Sequence, residues 1–113
     1  MSKDILFLLP PGFEDNDRRE FCPECAELWG VLHYYPAIKE ALEIRYVGIT
    51  HPRGPICDLL GEGRWNAPTL VLAEPPPDLS DLRNDKCHAH LGSARDIAKY
   101  FAARIGTAMP RGS

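Results

Sequence analysis

The segment Cys22-Pro23-Glu24-Cys25 places two cysteines about one helical turn apart. A helical pattern begins inside this segment, so Cys22 is predicted at a helix N-terminus, where unpaired amides and the positive end of the helix dipole favour a thiolate over a thiol. Pro23 suits the first helical turn, because its missing N–H costs no hydrogen bond there. Cys25 is close enough to resolve a mixed disulfide formed on Cys22. The spacing therefore indicates thiol–disulfide exchange.

The same spacing also occurs in zinc sites, where a Cys-x-x-Cys turn supplies two of four tetrahedral ligands. A second short cluster, with Cys87, His88 and His90, contains residues of the right type to complete such a set. If its strand runs antiparallel to the preceding one, His90 reaches the cysteine pair and Cys87 does not. The metal alternative is then Cys22, Cys25 and His90. The cluster is also interpretable as a polar edge strand that prevents association.

The composition is that of one globular domain. The chain has 113 residues, of which 44% are hydrophobic and 26% charged, enough for one compact core and too few for two. Thirteen basic and sixteen acidic residues argue against a dedicated nucleic-acid binder. The apolar run at residues 5–9 is too short for an export signal or a membrane span. We therefore expect a cytoplasmic protein without nucleic-acid or membrane partners, whose cysteines are not a disulfide framework.

Hydrophobic patterning predicts strands and helices that alternate along the chain. The predicted strands are residues 4–9, 44–49, 69–73 and a short edge strand around 87–91. The predicted helices run from the cysteine motif to Tyr35 with a continuation after Pro36, over a short segment from Pro55, and from a Ser93 cap to a Gly106 stop. Residues 10–21 and 74–86, rich in charge or proline, are predicted to be surface segments.

This order, β-α-β-α-β-β-α, predicts an α/β domain with a four-stranded mixed sheet and helices on both of its faces. Residues 1–106 are expected to form the domain. Residues 107–113 are expected to be a flexible tail.

A proline-led strand adds specificity to the cysteine motif. Ala67, Pro68 and Thr69 stand directly before the third predicted strand. The two features together resemble the thioredoxin-like superfamily, in which a cis-proline before the third strand faces a Cys-x-x-Cys motif. The resemblance covers essentially the whole chain, and within the superfamily it is closest to an uncharacterised bacterial thioredoxin-like family of unknown function. It implies a single thioredoxin-like domain with Pro68 as the cis-proline.

The resemblance also implies roles for individual residues. Cys22 corresponds to the attacking cysteine and Cys25 to the resolving one. The backbone at Ala67, Pro68 and Thr69 would pair with an extended peptide or a glutathione-like ligand.

Cys-Pro-x-Cys is the glutaredoxin variant of the motif, and the turn before the last helix occupies the place of the glutaredoxin glycine turn that contacts glutathione. Gly92 and Ser93 are therefore implied substrate contacts. Trp65, just before the proline, could form the floor of the same groove or anchor its loop. Glu24 and Glu20 should oppose the helix dipole at Cys22.

We therefore predict a thiol–disulfide oxidoreductase that needs no cofactor. Its expected partners are protein or low-molecular-weight thiols and disulfides, with glutathione as a candidate co-substrate. The alternative is a non-catalytic thioredoxin-like binding module, with or without a metal such as zinc.

Overall fold

The computed structural model of the chain describes residues 3–49, 56, 67–73, 83–85 and 88–112. The strands in these ranges are β1 (Asp4–Leu8), β2 (Phe13–Asp15), β3 (Arg18–Glu20), β4 (Leu42–Tyr46), β5 (Thr69–Val71), β6 (Arg83–Asp85) and β7 (His88–Leu91). The helices are α1 (Pro23–Tyr34), α2 (Pro36–Ala41) and α3 (Ala94–Ile105). The short helix predicted from Pro55 lies outside the described residues except for Ile56, which is helical and fully buried.

A mixed sheet with strand order β4-β1-β5-β7-β6 organises the chain. β1 pairs in parallel with β4 and antiparallel with β5, and β7 pairs antiparallel with both β5 and β6. Parallel neighbours need a crossover connection, and α1 and α2 lie in the crossover from β1 to β4. The α/β class and a four-strand mixed sheet are thus confirmed, and β6 extends that sheet by one strand.

The segment 10–21, predicted to be a loop, contains a second, two-stranded sheet made by β2 and β3. Its turn residues Asn16 and Asp17 have φ values of 53° and 58°, as a two-residue hairpin turn requires. Phe13 packs against the core, whereas the other side chains of the hairpin are largely exposed. Exposure on both faces removes the alternation that marks a strand, which explains the wrong prediction.

Three other predictions about strands differ from the structure in bounds or in position. The strand expected at residues 44–49 begins at Leu42 and ends at Tyr46, since α2 stops at Ala41 and the buried Leu42 is already extended. Within the segment 74–86, predicted to be a surface connector, Arg83–Asp85 forms β6. β7 is therefore an interior strand of the sheet and not the predicted edge strand.

The core lies where α1 and α3 pack together and α3 meets β5. Strand pairing puts Leu6, Leu70 and Leu91 side by side on one face of the sheet. The following side chains are at most 2% exposed: Leu6, Leu28, Leu32, Leu70, Leu91, Ile97 and Phe101. Each such burial contributes about 1.5–3 kcal/mol relative to exposure, so the core fixes α1 and α3 against the sheet.

The ends of α3 match the sequence prediction. Ser93 Oγ accepts the Asp96 amide at 3.1 Å, which satisfies one of the unpaired donors at the helix start. Gly106 follows the helix with φ 90°, a left-handed conformation that glycine adopts without strain.

The C-terminal segment, residues 107–112, lies against α1 and α3. Tyr35 Oη accepts the Ala108 amide at 3.3 Å, and the Arg95 guanidinium donates to the Arg111 carbonyl at 2.7 Å. Between the segment and the two helices is a cavity of about 290 Å³. The flexibility expected for residues 107–113 stays a prediction. In the described part of the chain, no helix combines the length and apolar character needed to cross a bilayer.

Candidate functional site

Cys22 is the N-cap residue of α1. Its backbone is extended, with φ −80° and ψ 113°, and its Sγ accepts the Cys25 amide at 3.1 Å. A side-chain oxygen usually occupies this position. Here the acceptor is a sulfur that is half-buried and therefore still reachable from solvent. The amide and the helix dipole both favour negative charge on that sulfur.

Cys25 lies one turn inside the helix and is only 3% exposed. Burial raises the pKa of its thiol to about 12, with hydrogen bonding to the Cys22 side chain and the negative charge of Glu24 acting in the same direction. The Leu9 amide, which donates to Cys25 Sγ at 3.4 Å, opposes the shift. Cys25 is thus a protonated thiol at neutral pH, beside a more exposed partner, and the two are not disulfide-bonded in this structure.

The Ala67–Pro68 peptide bond is cis, as predicted. Thr69, directly after it, pairs with Phe7 in the antiparallel register of β1 and β5. Pro68 therefore lies at the end of β1, where Leu9 donates to Cys25. Pro68 and Thr69 are buried and Ala67 is half-buried. The fold thus brings the proline and the cysteine pair to the same end of the sheet.

The N-terminus of α3 also reaches the cysteine motif. Glu24 Oε1 accepts the Ala94 amide at 2.9 Å, and Ala94 directly follows the Gly92-Ser93 turn. The turn predicted to contact substrate therefore lies beside the start of α1. Within this turn, Gly92 is exposed and Ser93 is half-buried. Sequence reasoning treated Glu24 only as a charge and missed this contact. An acidic residue in a first helical turn is a signal for amide binding, but it does not reveal that the amide belongs to another helix.

Phe21 and the β2–β3 hairpin border the site on its N-terminal side. Phe21 precedes Cys22 and is 61% exposed, so an aromatic surface adjoins Cys22. Arg18 donates to Glu20 at 2.7 Å, and this hydrogen bond, with a second from Asn16, lowers the pKa of Glu20. Glu20 is therefore ionised and largely compensated by Arg18. The exposed aromatic at residue 21 was not singled out from the sequence.

His90, the third residue of the predicted metal alternative, lies on the interior strand β7. His90 is buried and pairs with Val71, three positions along β5 from Pro68. Among the described residues, which include Cys22, Cys25 and His90, there is no group of three metal-binding side chains. The zinc prediction as a whole stays untested.

Two other residues considered from the sequence, Trp65 and Cys87, lie outside the described residues. The predicted role of Trp65 in a substrate groove therefore stays a prediction.

Comparison with protein-family models places residues 3–109 in the family described as "Protein of unknown function (DUF3088)", and the chain belongs to this family. Comparison with curated proteins and with solved structures gave no match. The matched range includes every strand and helix of the described fold.

Proposed function

We propose that this member of the DUF3088 family is a thiol–disulfide oxidoreductase with a thioredoxin-like fold, in which Cys22 attacks and Cys25 resolves. One observation carries the proposal. Cys22 Sγ caps α1 by accepting the Cys25 amide, while Cys25 itself is buried and protonated. The two thiols thus differ in access and in hydrogen bonding, as a nucleophile and a resolving thiol must.

The arrangement of the chain supports the fold assignment. A strand, a helix that starts at the cysteine motif, and a cis-proline directly before β5 are the features on which the resemblance rests. The chain departs from it by the inserted β2–β3 hairpin and by the added strand β6. Both additions leave the cysteine pair and the proline at one end of the sheet.

The reaction uses only the two thiols and the substrate disulfide. The Cys22 thiolate attacks one sulfur of R–S–S–R′, so that a Cys22–S–S–R bond forms and R′–S⁻ leaves and takes up a proton. Cys25 then loses its proton to solvent and attacks Cys22 Sγ, which releases R–S⁻ and leaves a Cys22–Cys25 disulfide. The substrate gains two electrons and the protein dithiol loses them. Because the Cys25 amide already donates to Cys22 Sγ at 3.1 Å, the two residues are close and the second step needs little movement.

The partners proposed for this site are protein or low-molecular-weight disulfides in the cytoplasm, without a bound cofactor. The backbone around Pro68 would receive an extended substrate, with Gly92 and Ser93 on the other side of Cys22. The exposed Phe21 would add apolar contact area for a polypeptide.

A single-turnover experiment tests the proposal. Reduced protein is mixed with hydroxyethyl disulfide, and the products are mapped by mass spectrometry after acid quenching. Wild-type protein should form the Cys22–Cys25 disulfide. Cys25→Ser should stop at a mixed disulfide on Cys22, and Cys22→Ser should form neither product at this site. Wild-type protein that keeps both thiols reduced would refute the proposal and leave the non-catalytic binding module.

A further inference from the structure

Glu24 is a fixed carboxylate between the two cysteines of the motif. Its Oε1 accepts the amide of the buried Ala94 at 2.9 Å, so the side chain is held between the first turns of α1 and α3. Its charge reaches the Cys25 thiol, because it adds to the effect of burial in raising the pKa of Cys25. Any disulfide that approaches Cys22 must therefore come close to this negative charge.

The neighbouring acidic residues are compensated in a way that Glu24 is not. Glu20 pairs with Arg18 at 2.7 Å, and Glu27 lies 3.9 Å from Arg95. Within the described ranges, the ion pairs do not include Glu24. Its partner among the described residues is a neutral amide, so no described cation offsets the charge of the carboxylate at the mouth of the site.

Two amides at the start of α3 are already occupied by side chains. The Ala94 amide is taken by Glu24, and the Asp96 amide is taken by Ser93 Oγ. A helix start with unoccupied amides attracts anions. An anionic group that approaches the start of α3 instead meets the Glu24 carboxylate, which is already bound to the Ala94 amide.

We propose that Glu24 is a specificity-determining residue that selects disulfides by charge, favouring neutral and cationic disulfides over anionic ones such as glutathione disulfide. The inference rests on the proposed function and leaves its two-electron exchange unchanged. During attack, negative charge spreads over the three sulfurs in line. A substrate that brings further negative charge is then repelled by Glu24, and a cationic substrate is attracted.

The test compares three disulfides that differ in charge: glutathione disulfide, which is anionic, hydroxyethyl disulfide, which is neutral, and cystamine, which is cationic. The second-order rate of Cys22–Cys25 disulfide formation is measured in single turnover at low ionic strength. The variant Glu24→Gln removes the charge and keeps an oxygen that can accept the Ala94 amide. Glu27→Gln, one turn further along α1, is the matched control for loss of one exposed charge from the same helix.

The cystamine-to-glutathione-disulfide rate ratio is the readout, because a change in the nucleophilicity of Cys22 affects both rates and cancels. Wild-type protein should react fastest with cystamine and slowest with glutathione disulfide. One charge acting across a few ångströms of hydrated surface should make the ratio fall about threefold to tenfold in Glu24→Gln. In Glu27→Gln the rate ratio should stay within about twofold of the wild-type ratio.

An unchanged ratio in Glu24→Gln, or an equal fall in Glu27→Gln, would overturn the inference while disulfide formation itself upheld the proposed function. Wild-type protein that reacts with none of the three disulfides would overturn both. Salt gives a second measurement that needs no variant. Raising the ionic strength from about 10 mM to about 500 mM should slow the reaction with cystamine and speed that with glutathione disulfide, and salt-independent rates would overturn the inference.

Discussion

Replacing Cys22 with serine isolates the buried thiol of Cys25 for measurement. A serine hydroxyl at the N-cap can accept the Cys25 amide as the sulfur does, so α1 should keep its first turn. Cys25 is 3% exposed, with the Leu9 amide 3.4 Å from its sulfur, and neither feature depends on Cys22. In the Cys22→Ser variant, burial should therefore still keep the fraction of Cys25 in the thiolate form low.

The size of this suppression follows from the pKa of Cys25. Burial, with smaller contributions from Cys22 and Glu24, raises it from 9.0 to about 12. A difference of that size lowers the thiolate population at neutral pH by a factor of about 1,000. Because burial is the largest cause and the serine removes only the contributions of Cys22, we expect at least about a 100-fold suppression in Cys22→Ser.

Iodoacetamide labelling with mass-spectrometric mapping measures this effect. The labelling rate at Cys25 is compared in folded Cys22→Ser and in the same variant unfolded in urea, and should differ by at least about 100-fold at neutral pH. The folded rate should also continue to rise about tenfold per pH unit up to about pH 10. A purely steric barrier would instead give a rate that levels off near pH 9. That plateau, or a rate difference below about tenfold, would refute the reasoning.

The stability of the fold should respond to three other changes. Because burial raises the pKa of Cys25 above its value in the unfolded chain, the unfolded state ionises first and the protein should lose stability between about pH 9 and about pH 12. Over this pH range the urea midpoint should fall less for Cys25→Ala than for the wild-type protein. An equal fall in the two proteins would contradict this linkage. Ser93→Ala removes the acceptor of the Asp96 amide and should lower the free energy of unfolding by about 0.5–2 kcal/mol; an unchanged urea curve would show that the cap does not stabilise α3. Phe101→Ala empties a fully buried position and should cost about 3–5 kcal/mol by urea denaturation, whereas a loss below about 1 kcal/mol would contradict its place in the core.

The helices at the site were predictable because their ends are encoded by neighbouring residues. Pro23 directly after Cys22 marks the first turn of α1, and Ser93 three residues before Asp96 marks that of α3. Gly106 marks the end of α3 through its left-handed conformation. Each signal acts within a few residues of the helix terminus, so one sequence is enough to detect it.

The hairpin and the contact of Glu24 were not encoded in this local way. β2 and β3 are mostly exposed, so burial imposes no alternation of apolar side chains, and only the turn residues Asn16 and Asp17 indicated a reversal. Glu24 and Ala94 are 70 residues apart. Their contact depends on how α1 packs against α3, which no local pattern contains.

The Leu9 amide links the buried sulfur to the end of the outer strand β4. The peptide group between Leu8 and Leu9 donates to Cys25 Sγ through its N–H and accepts the Val47 amide at 2.9 Å through its C=O. Hydrogen bonds at the two ends of one peptide group polarise each other. When Cys25 enters a disulfide, its sulfur loses its proton and its electron density changes, so both bonds change together. We therefore expect the backbone resonances of Leu9 and Val47 to shift together in a nitrogen-15 spectrum when the pair is oxidised to a disulfide, without any label on a cysteine.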